Sequence, residues 1–439
     1  MYDLLLKRGN VVFPDGIKQC DVAVKDGRIA AIGEELGTAA QVVHLEGQYL
    51  FPGGIDVHVH LNEPGNVEWE GFETGTHLLA AGGITSFFDM PLNADPPTIT
   101  VEALEMKKAL AQQKARIQPY YWGGLVHDNV DQLEALAEEG VIGFKAFLSN
   151  TGFEPFSSVQ DGTLLKGMKE IARLGKILAL HAESDELTGI LQQQKIGQGA
   201  VSAKDYGESR PILAEVEAVR RALYYAEMTG CRLHFVHISS AEAVMHINEA
   251  KKRGLDVSLE TGPHYLLFDD AAYEAHGVLA KCAPPLRPQE EQKALIRCLK
   301  EGSIDMVASD HSPCLPDMKD LMGKHFFQAW GGISGGQFTL LGLLDVCKAY
   351  DIPLQEAAKW LCENPAKRFG LERKGRIEVG CDADFAIVAE QAFTVTKGVS
   401  YAKHKDSIYN GWTFSHTIMA SYSYGKCVFR QPVTETQYS

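Results

Sequence analysis

The chain has 439 residues, of which 45% are hydrophobic and 23% charged, and its formal net charge is -15 at pH 7. These values are typical of a globular protein, and the chain is long enough for a large domain and a smaller appended unit. The acidic balance argues against a nucleic-acid partner, and no apolar run approaches the roughly 20 residues of a membrane span.

Two further features predict the compartment. The first residues, MYDLLLKRGN, lack the basic start, apolar stretch and small-residue cleavage site of a secretory signal. The nine cysteines are odd in number, scattered, and without a C-x-x-C pair. That pattern favours reduced thiols over a disulfide framework or a four-cysteine zinc site. We therefore expect a cytoplasmic protein.

Both ends of the chain are rich in predicted strands. Turn signals such as Pro14-Asp15-Gly16 separate short runs without helical periodicity. We predict that residues 1–50 and 375–439 pair into one small β-sandwich, because two unrelated β tails would leave exposed sheet edges. The predicted strands are 3–6, 11–13, 21–24, 29–32 and 42–44 at one end, and 375–377, 383–388, 417–421 and 426–429 at the other.

The middle of the chain, residues 51–374, alternates strand-like and amphipathic segments. The segment 130–139, for example, has Leu133, Leu136 and Ala137 at helical spacing. Eight strands alternating with helices predict an α/β fold, a (β/α)8 TIM barrel. A doubly wound sheet is the alternative, but it requires a Gly-rich phosphate loop where this chain has His-x-His. The predicted strands are 55–60, 84–90, 117–122, 143–148, 177–181, 233–238, 257–260 and 304–309, and the predicted helices include 101–115, 164–174, 214–228 and 241–253.

The first barrel strand ends in two histidines, within FPGGIDVHVHLNEPG at residues 51–65. Alternate residues of a strand point the same way, so His58 and His60 project side by side. Two imidazoles so placed, followed by a Pro-Gly loop, suit two ligands of one metal at the end of a barrel strand. Taken alone, the motif is equally compatible with two hydrogen-bonded core histidines.

Later strands end in residues of the same chemical kind. His181 follows strand five, His237 strand six and Asp310 strand eight, and Lys145 lies within the apolar strand four. Each has an ordinary alternative, namely a core histidine, a helix N-cap or a surface lysine. Their coincidence at strand ends favours one shared site, since barrel chemistry collects there. His234 we interpret as structural.

Four histidines and an aspartate suit divalent transition metals. A protonated lysine cannot coordinate a metal. Lys145 therefore belongs among the ligands only if carbamylation by CO2 removes its charge and adds oxygens, which would give an N6-carboxylysine bridging two ions. That is a hypothesis motivated by the lysine in an apolar strand. Zinc is the favoured metal, and iron, manganese and cobalt accept the same ligands.

At this point the motifs resemble the cyclic-amidohydrolase branch of the amidohydrolase superfamily, which contains dihydroorotases, hydantoinases and dihydropyrimidinases, and allantoinases. The resemblance runs nearly end to end, through DGRIAAIG, FPGGIDVHVHLNEPG, ETGTHLLAAGGIT, HAES, HISS, PHYL, APPLR and SDHSP. Within the branch, EPGNVEWEGFETGT, MPLN and the segment from SDHSPCLPDMK to AWGGISGG are most similar to the allantoinase group.

Departures from the other groups narrow the implied substrate. Dihydroorotases hold a substrate carboxylate with an Arg and an Asn at the positions that are Asn62 and Leu92 here. Hydantoinases and dihydropyrimidinases have a tyrosine at the position of Asn150. The resemblance thus implies allantoin, a small molecule with a neutral ureido arm, as substrate and allantoate as product. The alternatives are hydantoinase or dihydropyrimidinase activity, then dihydroorotase activity, and a non-catalytic assembly protein of the dihydropyrimidinase-related type.

The resemblance also implies a role for each ligand. The implied metal ligands are His58, His60, Lys145, His181, His237 and Asp310. The first two, with Asp310, would hold the more buried ion, His181 and His237 the second, and carbamylated Lys145 would bridge both. Asp310 would also be catalytic, taking a proton from the attacking water and delivering it to the ring nitrogen.

Substrate contacts are implied at three further positions. Asn93 follows strand two, His264 follows strand seven, and Ala283 lies in the Cys282–Pro285 loop, whose peptide groups would do the recognising. A turn-stabilising role is the alternative for Asn93, and a loop-holding role for His264. Members of the branch form homo-oligomers, often tetramers, so a homotetramer is expected.

Overall fold

The computed structural model describes residues 1–432 of the chain. The last seven residues of the predicted C-terminal segment, 433–439, lie outside the described residues. The strands are β1 (Tyr2–Phe13), β2 (Gly16–Lys25), β3 (Arg28–Gly33), β4 (Ala39–His44), β5 (Tyr49–Pro52), β6 (Gly54–Val59), β7 (Ile84–Asp89), β8 (Gln118–Gly124), β9 (Gly143–Phe147), β10 (Ile177–His181), β11 (Arg232–Phe235), β12 (Val257–Thr261), β13 (Met306–Val307), β14 (Phe385–Ala389), β15 (Phe393–Thr394), β16 (Thr413–Phe414), β17 (Thr417–Ser423) and β18 (Lys426–Arg430).

Helices occupy most of the connections between strands six and thirteen. The α-helices are α1 (Phe72–Ala81), α2 (Val101–Lys114), α3 (Leu133–Glu138), α4 (Asp161–Arg173), α5 (Asp185–Gly197), α6 (Ala203–Ser209), α7 (Ile212–Thr229), α8 (Ala241–Lys252), α9 (Pro263–Leu267), α10 (Ala272–His276), α11 (Gln289–Lys300), α12 (Thr339–Ala349), α13 (Leu354–Ala358) and α14 (Asn364–Arg368). Local signals set several boundaries. The Thr100 side chain caps α2 by accepting from Ala103 N, and α7 ends at Gly230, whose φ is 70°. Within the described residues, no helix has the length and apolar character required to cross a membrane.

The two ends of the chain pair into one mixed sheet, as predicted. Its strand order is β18-β17-β14-β5-β1-β2-β3, with β4 paired to β1. β1 connects the parts, because its first half pairs with β4 and its second half with β5. Residues such as Leu6, Val22, Phe385 and Tyr422 form a separate core for this sheet.

Two predicted strands at the ends differ from the structure. Residues 3–6 and 11–13 belong to a single strand, β1, which has an irregularity where Arg8 adopts a φ of 56° and donates its N–H to Asp21. Residues 375–377 form a bend instead of a strand. Gly375 has a φ of 80°, and a Cβ there would clash with the Cys362 carbonyl oxygen.

The middle of the chain forms the predicted barrel of eight parallel strands, in the order β13-β12-β11-β10-β9-β8-β7-β6. A parallel bridge between Val59 and His311 brings the first and last strands together. Strand β13 is shorter than the predicted 304–309, since Ser309 N donates to the Asp56 side chain at 3.1 Å and Asp310 has a φ of 46°. The backbone therefore leaves the ladder where the site begins.

The C-terminal segment also lies against the loops of the barrel. Between β15 and β16, the backbone N–H of Lys403 donates to the buried carboxylate of Glu70 in the β6–α1 loop. Gln337 joins the same segment through hydrogen bonds to Val399 O and Tyr401 N. Residues 399–403 therefore connect two loops at the mouth of the barrel.

Candidate active site

His58, His60 and Asp310 form one buried cluster at the end of the barrel. Asp310 Oδ1 lies 3.1 Å from His58 Nε2 and 3.3 Å from His60 Nε2. Ligand atoms of the three residues all lie within 4.8 Å of one another. His60 is held there through its backbone, whose N–H donates to the His311 carbonyl at 2.8 Å. Three good metal donors thus face one point.

A second pair lies beside the first cluster. His181 Nδ1 is 2.9 Å from His237 Nε2, and the His58 and His237 rings are 5.4 Å apart between centroids. Two neutral imidazole nitrogens at that distance either share a proton or face a common ligand. The structure therefore brings together all four histidines that the sequence singled out.

Lys145 is fully buried on β9. Its Nζ has no hydrogen-bond partner among the described residues and lies 4.9 Å from the centre of the Phe147 ring. Burial lowers the pKa of the Lys145 amine to about 7, against the opposing influence of Glu260 and Asp310. A buried amine without a partner is costly, so its environment favours the uncharged form.

Sequence reasoning missed the acidic residues behind the histidines. Glu260 on β12 is 2.5 Å from His58 Nδ1 and 3.0 Å from His234 Nε2. Glu183 lies 2.9 Å from His181 Nε2 and accepts from Arg210 Nε at 3.1 Å. Carboxylates so placed fix the ring orientation of metal-binding histidines. The sequence did contain two signals. Glu260 ends an apolar strand, and Glu183 follows His181 by two residues.

Burial opposes protonation of three of the site's histidines, whereas Asp310 stays ionised. Burial lowers the pKa of His60, His181 and His237. Burial opposes ionisation of Asp310, but the surrounding His58, His60 and His237 outweigh it and hold the Asp310 pKa well below its usual range. Neutral imidazoles and a carboxylate are the forms that bind metals.

The backbone is unusual at four positions around this site. Asn62, Asn93, His237 and Asp310 all have positive φ, from 39° to 67°. This conformation is uncommon for residues other than glycine. It persists only where the surroundings hold it, and it concentrates at functional sites.

Asn93, one of the predicted substrate-contact residues, lies close to the histidines. Asn93 Nδ2 is 3.4 Å from His60 Nδ1. His264 is buried, and neither ring nitrogen has a partner within the part of the chain that the structure describes. Ala283 lies between two carbonyls held by tyrosine hydroxyls, Cys282 O by Tyr206 at 2.9 Å and Pro284 O by Tyr265 at 2.7 Å.

These residues fit a metal centre. The donor set is imidazole and carboxylate, which divalent transition metals prefer. The buried Lys145 Nζ and His237 Nδ1 have no partner among residues 1–432. The outer nitrogens of His58 and His181 are already bound by carboxylates, so their inner nitrogens face the cluster.

Comparison with known protein families and sequences also indicates a hydrolase. The profile described as "Amidohydrolase family" matches residues 49–425. The allantoinase of Bacillus velezensis is 53% identical over 430 residues, covering 98% of this chain and 94% of that protein. The allantoinase of Deinococcus radiodurans is 48% identical over 431 residues, covering 98% and 95%.

Solved structures agree with the fold. The L-hydantoinase (dihydropyrimidinase) from Arthrobacter aurescens superimposes with a TM-score of 0.94 at 32% identity, covering 98% of this chain and 96% of that one. The dihydropyrimidinase from Brevibacillus agri gives 0.91 at 29% identity, covering 98% and 95%. With its profile match, full-length relatives and cluster of metal donors, the chain belongs to the amidohydrolase family, in the cyclic-amidohydrolase branch that includes the allantoinases.

Proposed function

We propose that this protein opens the ring of allantoin by hydrolysis of a cyclic amide, giving allantoate. One observation carries the proposal. Four imidazoles, a carboxylate and the buried Lys145 amine converge at the end of a barrel in a chain 53% identical to an allantoinase. A centre that binds metal ions and activates water is one established means of hydrolysing an unreactive amide.

The metal ligands are proposed from the two clusters. The first ion would be held by His58, His60 and Asp310, the second by His181 and His237, with N6-carboxylated Lys145 between them. Divalent ions there supply Lewis acidity, which polarises a carbonyl oxygen and lowers the pKa of water to about 7. Zinc is our first choice. The lowered pKa of the Lys145 amine supports its carboxylation, because CO2 adds to an uncharged amine.

Asp310 is proposed to move the proton. Its carboxylate accepts a proton from the attacking water, whose oxygen bonds to the amide carbon, and then delivers it to the ring nitrogen as the C–N bond breaks. His58 and His60, each within 3.3 Å of Asp310 Oδ1, hold the carboxylate in place. Glu260 in turn orients His58.

Substrate recognition is proposed at Asn93, His264 and the Ala283 peptide. The buried His264 ring has two nitrogens free of protein partners among the described residues, as a ligand contact requires. The Ala283 peptide is fixed from both sides by tyrosine hydroxyls. A neutral, polar lining suits a ureido arm that has no carboxylate.

Hydantoinase activity is the second candidate, favoured by the TM-score of 0.94 to an L-hydantoinase. One position argues against hydantoinase activity. Five residues after Lys145, where the hydantoinases have a tyrosine, this chain has the exposed Asn150, whose Oδ1 accepts from Gly152 N at 2.8 Å in a local turn. Dihydroorotase activity would need a cation near the site, where the buried Asn62 lies instead.

A comparison of substrates tests the choice. Metal-replete protein is assayed on allantoin, hydantoin, dihydrouracil and dihydroorotate. We expect kcat/KM for allantoin to exceed the others by about tenfold or more, because polar contacts to the ureido arm discriminate strongly. A preference for dihydrouracil or hydantoin would transfer the proposal to the second candidate.

We further propose that the protein is a cytoplasmic homotetramer. Each chain would consist of a barrel domain, residues 51–374, and a β domain, residues 1–50 and 375–439. The separate core of the end-to-end sheet supports that division. Exposed apolar residues on helix α7, namely Leu213, Tyr224 and Met228, are compatible with contacts between copies. The mass of the native assembly tests the number of chains.

A further inference from the structure

The loop after the last barrel strand, residues 313–335, is here named the mouth loop. Its inner part runs beside the strand end, because His311 forms a parallel bridge with Ile333 and Ser312 N donates to Ile333 O at 3.0 Å. On the other side, Gly332 N donates to the Lys281 carbonyl at 2.8 Å. The mouth loop thus lies between Asp310 and the Lys281–Ala283 segment.

Lys281 holds the outer part of this loop, residues 326–329, by hydrogen bonds. It is 4% exposed, and its Nζ donates to three backbone carbonyls, those of Phe326 at 2.9 Å, Phe327 at 3.0 Å and Ala329 at 2.6 Å. The ammonium also lies 4.7 Å from the centre of the Tyr206 ring. Tyr206 is the residue whose hydroxyl holds the Cys282 carbonyl.

Lys319 fastens the inner part from within the loop. Its Nζ donates to Gly332 O at 2.7 Å, Val278 O at 3.0 Å and Trp330 O at 3.4 Å. An ammonium has three N–H donors and no acceptor, so each lysine has a carbonyl acceptor for every donor. Six carbonyl contacts therefore depend on two side chains.

Burying an ammonium group costs free energy unless each of its N–H donors has an acceptor. Burial lowers the pKa of Lys281 to about 7 and that of Lys319 to about 8. Buried cations persist when hydrogen bonds satisfy them, and buried carbonyl groups left without donors carry a smaller penalty of their own. A loop of this length, with only two short 3-10 helices at Pro316–Met318 and Phe326–Gln328, would otherwise be mobile.

We propose that Lys281 and Lys319 are positioning residues, which fix the mouth loop and the adjoining Ala283 peptide as one wall of the substrate pocket. The reach of the loop supports this. Trp330 packs edge-to-face on Trp69 of the β6–α1 loop at 5.0 Å, and the Pro313 carbonyl lies 3.5 Å from Asn62 Nδ2. The substrate named here rests on the proposed function, whereas the fastening of the loop does not.

The test compares Lys281→Met and Lys319→Met with the control Lys324→Met. Methionine keeps the length and apolar volume but removes all donors. Lys324 lies in the same loop and is exposed, with one long contact to Asp317 O at 3.3 Å. Three readouts are taken from the metal-loaded full chain: KM and kcat for allantoin, bound metal, and the rate of thermolysin cleavage near the exposed Leu321 and Met322.

We expect KM to rise about tenfold in Lys281→Met and in Lys319→Met with a smaller change in kcat, because a displaced wall weakens binding more than chemistry. Cleavage near Leu321 should accelerate several-fold, bound metal should stay unchanged, and Lys324→Met should match the wild type. Lys281→Arg, which keeps the charge and donors, should recover part of the KM change.

Two results would overturn the proposal. One is a wild-type KM and cleavage rate in both methionine variants. The other is loss of metal and kcat at unchanged KM, which would indicate a general structural role. If Lys281→Met fails to fold, Lys319→Met decides by the same readouts, since that side chain is less buried. If the wild type does not hydrolyse allantoin, the proposed function fails, while the cleavage rates still decide the fastening of the loop.

Discussion

At the residue scale, Glu260 and Glu183 set the orientation of His58 and His181. Each carboxylate contacts the nitrogen of a histidine that faces away from the cluster, at 2.5 Å for His58 and 2.9 Å for His181. A ring held on its outer side can present only its inner nitrogen. The precision of the site therefore depends on residues that bind neither metal nor substrate.

Glu260→Gln tests this support. An amide oxygen is a weaker acceptor than a carboxylate, so we expect metal affinity or activity to fall about 10- to 100-fold. Bound metal after dialysis against a weak chelator is the measurement. Glu242→Gln, an exposed change at the start of α8, is the control. Equal retention of metal in Glu260→Gln and in the control would contradict the orienting role.

Lys145→Ala tests the proposed carboxylation. We expect the native mass spectrum of the wild type to show the mass of one added CO2 per chain, and the variant to lose it. Bound metal should fall toward half or less, because the bridging group is shared by both ions. An unmodified wild-type lysine with full metal loading would contradict the proposal.

The ligand positions could be predicted from sequence because each follows a strand of recognisable type. His58, His60 and Asp310 needed only the alternation of a strand and the rule that strand ends meet. Glu260 also ends an apolar strand, but its contact with His58, 202 residues earlier in the chain, could not be read from that position. Contacts of that kind depend on barrel closure, which no local pattern encodes.

At the scale of elements, Asp256 joins three segments at the start of the later strands. Its carboxylate pairs with Arg232 on β11, at 2.7 Å, and with Arg368 on α14. Burial alone would raise the pKa of Asp256, but hydrogen bonds from the two arginines outweigh it and lower the pKa below its usual value. This cluster lies at the strand starts, opposite the metal donors.

Asp256→Asn should therefore change stability without changing turnover. A lowered folded-state pKa stabilises the protein above the unfolded-state pKa of about 3.9, and that stabilisation is lost as pH falls through the folded value. We expect a lower thermal midpoint at pH 7, equivalent to about 1 kcal/mol because the pair is half exposed. The difference should shrink as the pH falls below about 4.

Thermal midpoints at several pH values measure this effect, with the exposed Asp131→Asn as the matched control. A pH-independent difference, or a difference equal to that of the control, would show that the charge of Asp256 contributes nothing. Lost turnover at an unchanged midpoint would place Asp256 in the site, contrary to its position.

The existence of elements was easier to predict than their ends. Predicted helices 101–115 and 241–253 match α2 and α8 within a residue, because Thr100 and Ser240 cap them. Strand eight was predicted too long, since its ladder is interrupted by a side-chain contact from Asp56 on another strand. Tertiary contacts of this kind decide boundaries that propensity cannot.

At the scale of the whole molecule, the two chain ends form one sheet, and hydrogen bonds link the C-terminal segment to the barrel. One sheet joins β1 with β14, β17 and β18, and residues 399–403 reach over the barrel to Glu70 and Gln337. The pairing of both ends was predictable from their common strand texture. The contact of residues 399–403 with the barrel was not, because that segment carries no regular periodicity.

Removal of metal should destabilise the whole molecule. An ion that binds only the native state adds about 2.7 kcal/mol at one hundred times its dissociation constant. We expect chelation to lower the thermal midpoint, and zinc or manganese to restore it. A midpoint unaffected by chelation would mean that the histidine clusters are stable without an ion.

The most direct test of the account is the rate of allantoin hydrolysis measured against the number of metal ions bound per chain. We predict no turnover without metal, and a rise that levels off as the proposed pair of sites fills. Full turnover by the metal-free chain, or a fully loaded chain inactive on allantoin, would contradict the account.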